Sequence, residues 1–358
     1  MLRLKVVIVI LMISFAANAA ESDRADKYAV GKQVADIELS LPNIAQRGRY
    51  AFIAPKDGYL VEINNKGVVT FSFKIPKSYN RTLRAGADVE YLTVNDRFLV
   101  VVPRKGILEI DRSRGIVWSC KTPYVSHDVD LLPDDTLIFV NGWDDENKNE
   151  PIYTHMARDC TVLSQLFASD LNLDKSRFRP DNTKKSNPKK TKPQAPSHTH
   201  TNAVWTRPDG LLMLSIRNYD EFVLIKDKKV VRRYQGTRRV HDPVPVKLEA
   251  DIDDMEFYYA NHGRWHHIGR TVEENASSRK NDIVLWTAQS EIRSNQDLWR
   301  PLRTIEILPN KNILFSGSAY LAQITSQGEL AWKARINGFI NQHERGNFIY
   351  KAVFVPDF

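Results

Sequence analysis

The sequence has few cysteines and almost no long apolar segments. It contains two cysteines in 358 residues, Cys120 and Cys160, which lack the close spacing of a metal-binding pair. An even number fits an oxidising compartment, and the sequence is compatible both with a disulfide between them and with two separate thiols. The one long apolar run, residues 6–15, is too short to span a bilayer, which takes about 20 residues.

That apolar run has the flanks of a secretory signal peptide. Arg3 and Lys5 precede it, and the small-x-small sequence Ala17-Asn18-Ala19 follows it. We therefore expect residues 1–20 to be a cleaved signal peptide and residues 21–47 to be a polar N-terminal extension. The protein is then periplasmic or secreted, with no membrane anchor after cleavage.

The sequence also lacks a general excess of positive charge. The net charge of +8 is concentrated near the N-terminus and in residues 175–193, which hold eight basic residues and one acidic residue. The remainder is close to neutral, so we expect no nucleic-acid partner. Residues 174–197 are rich in Lys, Pro, Asn and Ser, and this composition predicts a disordered basic insertion.

Helical periodicity is nearly absent, and two strand patterns recur instead. Residues 129–142, 203–216 and 304–317 each consist of a short strand, a turn containing Pro followed by Asp or Asn, and a second apolar strand. Residues 107–118 and 321–332 consist of a strand, a turn containing Gly and a strand bearing an aromatic residue. Together the two patterns give four antiparallel strands per unit.

Six such units recur with a spacing near forty residues. They cover approximately 48–75, 88–120, 127–168, 198–235, 241–288 and 299–333. This period predicts an all-β fold, a six-bladed β-propeller of four-stranded antiparallel blades over residues 48–358. Residues 347–355 would supply the innermost strand of the first unit and close the ring. Five or seven blades and a generic β-sandwich are the alternatives.

Polar residues recur where the units begin. In a propeller, the start of each first strand and the end of each second strand meet at one face. Three histidines fall at unit starts, and four other polar residues fall near those two kinds of position: His127, His200, His241, Arg217, Asn202, Asn141 and Asn261. Such donors suit an anionic oxygen cluster such as a sulfate or phosphate ester.

A metal ion held by the three histidines is the alternative use of this site, with Asp128 and Asp242 orienting the rings. Arg217 disfavours a dication, and we predict no metal there.

The motifs around these residues resemble those of the bacterial arylsulfotransferase family. They are His200-Thr-Asn202, Ser215-Ile-Arg217-Asn218, a histidine at the next unit start and Tyr259-Ala-Asn261-His-Gly263. The resemblance covers residues 48–355 and is sharpest over 198–263. Members of that family are periplasmic six-bladed propellers that move a sulfuryl group from a phenolic sulfate ester to another phenol through a sulfated histidine. They do so without PAPS or another cofactor.

The resemblance implies a role for each residue. His241 matches the nucleophile, and His200 and Arg217 match residues that hold the sulfate oxygens. His127 matches a further site histidine, with donation of a proton to the leaving phenol as its role. Asn202, Asn141 and Asn261 are expected to bind substrate.

The partners would then be a small-molecule aryl sulfate donor and a phenolic acceptor, with the oligomeric state left open. One alternative is a non-catalytic exported propeller that binds an anionic ligand or a protein. Another is a quinone-cofactor dehydrogenase, which the absence of a repeated tryptophan docking motif disfavours.

Overall fold

A computed structural model describes most of the chain. It covers residues 27–80, 82–141, 151–179, 199–235, 237–261, 267–271, 283–291 and 293–357. The predicted signal peptide and residues 180–197 of the predicted basic insertion lie outside the described residues. Within the described ranges, no helix is long and apolar enough to cross a membrane.

The described residues form twenty-five strands. The first twelve are β1 (Ala35–Ser40), β2 (Arg49–Ala54), β3 (Tyr59–Asn64), β4 (Val69–Lys74), β5 (Asp88–Leu92), β6 (Arg97–Val102), β7 (Gly106–Asp111), β8 (Gly115–Lys121), β9 (Val129–Leu131), β10 (Leu137–Val140), β11 (Pro151–Met156) and β12 (Val162–Phe167). The others are β13 (Thr201–Thr206), β14 (Leu212–Ile216), β15 (Glu221–Lys226), β16 (Lys229–Gln235), β17 (Val240–Pro245), β18 (Phe257–Asn261), β19 (His267–Arg270), β20 (Ile283–Thr287), β21 (Ile305–Ile307), β22 (Ile313–Ser316), β23 (Tyr320–Ile324), β24 (Leu330–Ile336) and β25 (Ala352–Val355).

Helices are few and short. The α-helices in the described ranges are α1 (Lys77–Asn80) and α2 (Arg293–Trp299). The 3₁₀ turns are Leu83–Ala85, Ala168–Leu171, Lys175–Arg177, Arg217–Tyr219, Ile252–Asp254 and Ala288–Ser290.

The strands form six antiparallel sheets, which confirms the predicted six-bladed β-propeller. From the inside outwards, blade one is β25-β2-β3-β4, blade two β5-β6-β7-β8, blade three β9-β10-β11-β12, blade four β13-β14-β15-β16, blade five β17-β18-β19-β20 and blade six β21-β22-β23-β24. Short turns join the consecutive strands of blades one, two, four and six, as the repeated turn residues predict. The apolar core lies largely between neighbouring blades.

The two ends of the described chain complete the ring. The C-terminal strand β25 pairs with β2 and supplies the inner strand of blade one, as predicted. The sequence did not lead us to expect β1, which pairs with β24 and makes blade six five-stranded. Part of the extension at residues 21–47 therefore belongs to the propeller sheet, and β1 covers an edge that would otherwise be open.

Blades two and three are also joined covalently. Cys120 in β8 and Cys160 in the turn between β11 and β12 form a disulfide, with their Cα atoms 5.9 Å apart. This resolves the alternative that the sequence left open.

Candidate active site

The candidate site is built from equivalent positions in successive blades. Each inner strand carries one such residue, from two places before its start to one place after it: Tyr350 (blade one), Gly86 (two), His127 (three), His200 (four), His241 (five) and Arg303 (six). Because the blades are arranged in a ring, these positions converge on one mouth of the central channel. The mouth therefore contains three imidazoles, a guanidinium and a phenol.

His127 lies at the centre of a stack of rings. Its ring centroid is 5.3 Å from that of His200 and 4.9 Å from that of Tyr350, with both pairs stacked. Its Nδ1 lies 3.4 Å from the Gly86 carbonyl oxygen. Burial, together with the nearby His200 and Arg303, lowers its pKa well below the usual value, so the ring is uncharged at neutral pH.

Two buried guanidinium groups face the histidines. Arg217 and Arg303 are 8% and 6% exposed. The Cζ atom of Arg303 lies 3.8 Å from the ring centre of Tyr350, and the guanidinium also donates to Gln342 Oε1. Burial lowers the pKa of Arg303 to about 10, and the positive charge of Arg217 contributes to the shift. Arg303 ion-pairs with no carboxylate of the described residues, so this part of the mouth is suited to a bound anion.

His241 is held in one tautomer. Its Nδ1 lies 2.8 Å from the backbone oxygen of Arg239. A carbonyl oxygen can only accept a hydrogen bond, so Nδ1 carries the proton and the lone pair of the neutral ring is on Nε2. Burial lowers the pKa of His241 well below the usual value, and the charges of Arg303 and Arg217 lower it further. The ring therefore remains a neutral nucleophile through the physiological pH range.

The backbone around these residues adopts uncommon conformations. His200, Arg239 and Asp242 have φ values of 50°, 51° and 49°, in the left-handed region. The pairing register also shifts within β13 and within β17, next to His200 and His241. Such bulges redirect side chains, and here they lie where the sheets present histidines to the mouth.

The aspartates beside the site histidines connect blades and do not orient imidazoles. Asp128 Oδ2 accepts from the Val204 N–H at 2.6 Å, and Asp242 Oδ2 accepts from the Ile305 N–H at 2.9 Å. In each case the acceptor lies in one blade and the donor in the next. The sequence-based idea that these aspartates act as second-shell acceptors for a metal is wrong, because their oxygens are turned away towards the neighbouring strand and the channel.

Of the remaining predicted residues, Asn202 lies directly behind His241. Its Nδ2 donates to the Val240 carbonyl at 3.3 Å, and its Oδ1 accepts from Ser215 Oγ at 2.6 Å. Asn202 therefore supports the strand that carries His241.

The other two asparagines contact their own blades. Asn141 Oδ1 accepts from Thr154 Oγ1 at 3.0 Å, and Asn261 Nδ2 is 3.4 Å from His267 Nε2. The structure thus groups the three histidines with Arg217, and of the three asparagines Asn202 contacts the residue next to His241.

Two site residues did not emerge from the sequence, Arg303 and Tyr350. Both occupy the same repeat position as the histidines, but a search for histidines at unit starts does not detect them. Aligning the starts of all six inner strands would have placed both at the mouth, including Tyr350, which precedes the closing strand β25.

Comparisons with known proteins support the fold. No protein-family model matches the chain, and no curated protein matches it. Among solved structures, a protein of unknown function from Bacteroides caccae is 12% identical, with a TM-score of 0.50 over 87% of this chain and 100% of that chain.

Two further similar structures are enzymes by their descriptions. A gluconolactonase from Xanthomonas campestris is 7% identical, with a TM-score of 0.48 over 76% of this chain and 86% of that chain. A streptogramin B lyase is 12% identical, with a TM-score of 0.46 over 91% of this chain and 94% of that chain. At these identities a likeness concerns the fold alone, so the site has to carry any functional argument.

Proposed function

We propose that this protein is an exported arylsulfotransferase that moves a sulfuryl group between phenols through a sulfated His241. The observation that carries the proposal is the juxtaposition of a neutral, tautomerically fixed imidazole with two buried guanidinium groups. Arg217 and Arg303 suit the oxygens of a sulfate ester, and His241 suits attack on its sulfur. The resemblance of the motifs around His200, Arg217 and His241 to the arylsulfotransferase family points the same way.

In the first half-reaction, His241 Nε2 attacks the sulfur of the aryl sulfate. The N–S bond forms as the S–O bond to the phenol breaks, and the bonding pair leaves with the phenolate oxygen. Arg217, Arg303 and His200 stabilise the charge on the sulfuryl and leaving oxygens. The carbonyl of Arg239, which holds the Nδ1 proton, stabilises the positive charge that the imidazole gains.

In the second half-reaction, an acceptor phenol attacks the same sulfur. The N–S bond breaks, neutral His241 is restored, and the acceptor loses its proton. One proton is taken up by the first phenolate and one is released by the acceptor, so the cycle balances without a cofactor.

We assign to Tyr350, and not to His127, the hydrogen bond that stabilises the leaving phenolate oxygen, and the phenolate then takes its proton from solvent. Burial and nearby cations keep His127 uncharged, and its Nδ1 faces the Gly86 carbonyl, so its ring suits removal of a proton from the acceptor. Burial raises the pKa of Tyr350 to about 12, so this phenol keeps its proton. Tyr350 Oη is buried without a hydrogen-bond partner among the described residues, and it stacks on His127.

A non-catalytic propeller that binds an anion is the second candidate, since the same guanidinium groups would serve it. It does not require a neutral imidazole of fixed tautomer between them. A sulfated enzyme intermediate distinguishes the two candidates.

The test is turnover of a chromogenic aryl sulfate with a phenol acceptor, comparing wild type with His241→Asn. Asparagine can keep a hydrogen bond to the Arg239 carbonyl, but it removes the nucleophile, so we expect a loss of at least about 10³-fold. His155→Asn is the matched control, because His155 lies on β11 and contacts Thr136 away from the mouth. Donor alone should also add the mass of one sulfuryl group to the peptide that contains His241.

Full activity of His241→Asn would refute the nucleophile assignment. Binding of aryl sulfates without turnover or sulfation, for several donors and acceptors, would favour the non-catalytic candidate.

A further inference from the structure

Directly below the mouth, four carboxylates surround a single lysine. Lys351 precedes β25, and its Nζ lies 2.7 Å from an oxygen of Asp128, 3.1 Å from one of Glu90, 3.2 Å from one of Asp88 and 3.7 Å from one of Asp242. These acids come from the inner strands of blades two, three and five or from their starts. The cluster therefore lies on the axis of the ring.

Asp88 has the least satisfied side chain of this cluster. It is 0% exposed, and neither of its oxygens accepts a hydrogen bond from a described residue, although Oδ1 forms the ion pair with Lys351. Asp128, by contrast, binds Lys351 through Oδ1 and the Val204 N–H through Oδ2. A buried carboxylate oxygen without a hydrogen-bond partner is costly, so Asp88 requires either a proton or a second cation beside Lys351.

The geometry around Asp88 suits a cation. One oxygen from each of Asp88, Glu90 and Asp128 lies within 4.8 Å of the other two. Carboxylate oxygens are the ligands that hard divalent cations prefer. The Glu90 side chain is 26% exposed, so water can complete a coordination shell from the channel.

The charge balance points in the same direction. Four carboxylates contact one ammonium group, which leaves a net charge of about −3 if all are ionised. A divalent ion beside Lys351 would neutralise most of that excess.

We propose that Asp88, Glu90 and Asp128 form a binding site for a hard divalent cation of the Ca²⁺ or Mg²⁺ type, which stabilises the centre of the propeller. The site is separate from the histidine mouth, and the proposal does not depend on the sulfotransferase reaction. The competing account is that Lys351 is the only cation and that protons neutralise the remaining acids. Burial raises the pKa of Glu90 to about 7, so protons and cations would compete for this cluster near neutral pH.

The test uses the full chain after treatment with EDTA and removal of the chelator. Titration with CaCl₂, and separately with MgCl₂, is followed by calorimetry and by thermal unfolding. We expect wild type to bind one ion per chain and to have a higher Tm when the ion is present. The Asp88→Asn variant should bind the ion at least about tenfold more weakly. Without metal, Asp88→Asn should unfold at a higher temperature than wild type, because asparagine at this buried position needs neither a proton nor a cation.

The order of the two Tm values should therefore reverse when the metal is added. Asp159→Asn, in the turn between β11 and β12, is the matched control and should bind as wild type does. Should Asp88→Asn fail to fold, Glu90→Gln replaces it, with the same expected loss of binding. The absence of heat and of any Tm shift with both cations, or equal shifts in wild type and Asp88→Asn, would overturn the proposal.

Discussion

Arg303 has a large influence on the chemistry of the mouth. Its guanidinium is among the main charges that lower the pKa values of His127 and His241, after the effect of burial. A cation near a nucleophilic imidazole thus has two effects, since it attracts the anionic substrate and keeps the nucleophile deprotonated. The guanidinium charge therefore gives the pocket its positive potential and also adds to the neutrality of the histidines, which burial mainly causes.

Gly86 provides the space in which the rings stack. A Cβ atom at this position would lie 2.3 Å from His127 Nδ1 and 2.9 Å from a ring carbon of Tyr350. Its φ of +109° also disfavours any side chain. We predict that Gly86→Ala displaces His127 and lowers sulfuryl transfer by about 10- to 100-fold, measured as kcat/KM.

Gly210→Ala is the matched control for this substitution. Gly210 has a φ of +84°, but nothing lies within 4 Å of its added Cβ atom. In both variants a side chain at positive φ costs about 1–3 kcal/mol of backbone strain, so both should have a lower free energy of unfolding than wild type. Only Gly86→Ala should lose activity, and equal activities would contradict the packing argument.

The sequence could predict individual site residues only where their type was conspicuous. His127, His200 and His241 were found because histidine is infrequent in this chain and recurs at unit starts. Arg303 and Tyr350 have the same positions, but Arg and Tyr are common in strands and turns. Their importance arises from burial and from contact across the ring, which local sequence does not encode.

At the scale of the strand, short polar side chains join three pairs of neighbouring blades. Asp128 binds the Val204 N–H, Asp242 binds the Ile305 N–H, and Thr304 Oγ1 accepts from the Ala352 N–H at 2.8 Å. Asp128 and Asp242 each directly follow a site histidine, and Thr304 directly follows Arg303. The residue that enters the mouth and the residue that fixes the next blade are therefore neighbours in sequence, which holds the catalytic groups in register.

The disulfide between β8 and the turn after β11 fixes blade two against blade three. It closes a segment with a sequence separation of 40 residues. We predict that the double variant Cys120→Ser with Cys160→Ser loses about 2–4 kcal/mol of unfolding free energy, measured by denaturant titration. Reductant should lower the stability of wild type towards that of the variant and leave the variant unchanged. An effect of reductant on the variant would show that another cause is involved.

The elements were predictable where the repeat was strong. Proline-containing turns and alternating strands identified the blades, and the need to close the ring identified β25. The strand β1 was not predicted, because its partner β24 lies about 300 residues away and no unit pattern includes it. Pairing at that distance depends on the finished ring, which creates the outer edge that β1 covers.

At the scale of the whole molecule, the charges of the axis are arranged in two layers. Arg217 and Arg303 make the mouth positive, and the carboxylates around Lys351 lie one to four residues further along the inner strands than the mouth positions. The bulk charge of the chain shows neither layer. The propeller produces them by placing successive residues of every inner strand at successive depths.

The acidic layer should make stability depend on pH. Glu306, in β21 of blade six, lies near this layer, because Glu90, Asp242 and Lys351 all affect its pKa. Burial is the main cause that raises the pKa of Glu306 to about 8. Glu90 and Asp242 raise it further, whereas the hydrogen bond from the Phe354 N–H and the charge of Lys351 lower it. In the unfolded chain this carboxyl titrates near its ordinary value, about 4.3. Between those values the folded protein keeps a proton that the unfolded chain has released, so stability falls as pH rises from about 4.3 to about 8.

Glu306→Gln should reduce this dependence, because glutamine can still accept from the Phe354 N–H and has no proton to lose. We predict that, in EDTA, the unfolding free energy of this variant falls less steeply between pH 5 and 8 than that of wild type. The difference between the two slopes should correspond to up to about one bound proton per molecule. Glu344→Gln, at an exposed site, should follow the wild-type curve. Parallel curves for wild type and Glu306→Gln would mean that Glu306 does not hold its proton in the folded state. The remaining slope of Glu306→Gln should then report the other carboxylates near the axis whose pKa values burial also raises, which are Asp88, Glu90, Asp130 and Asp242.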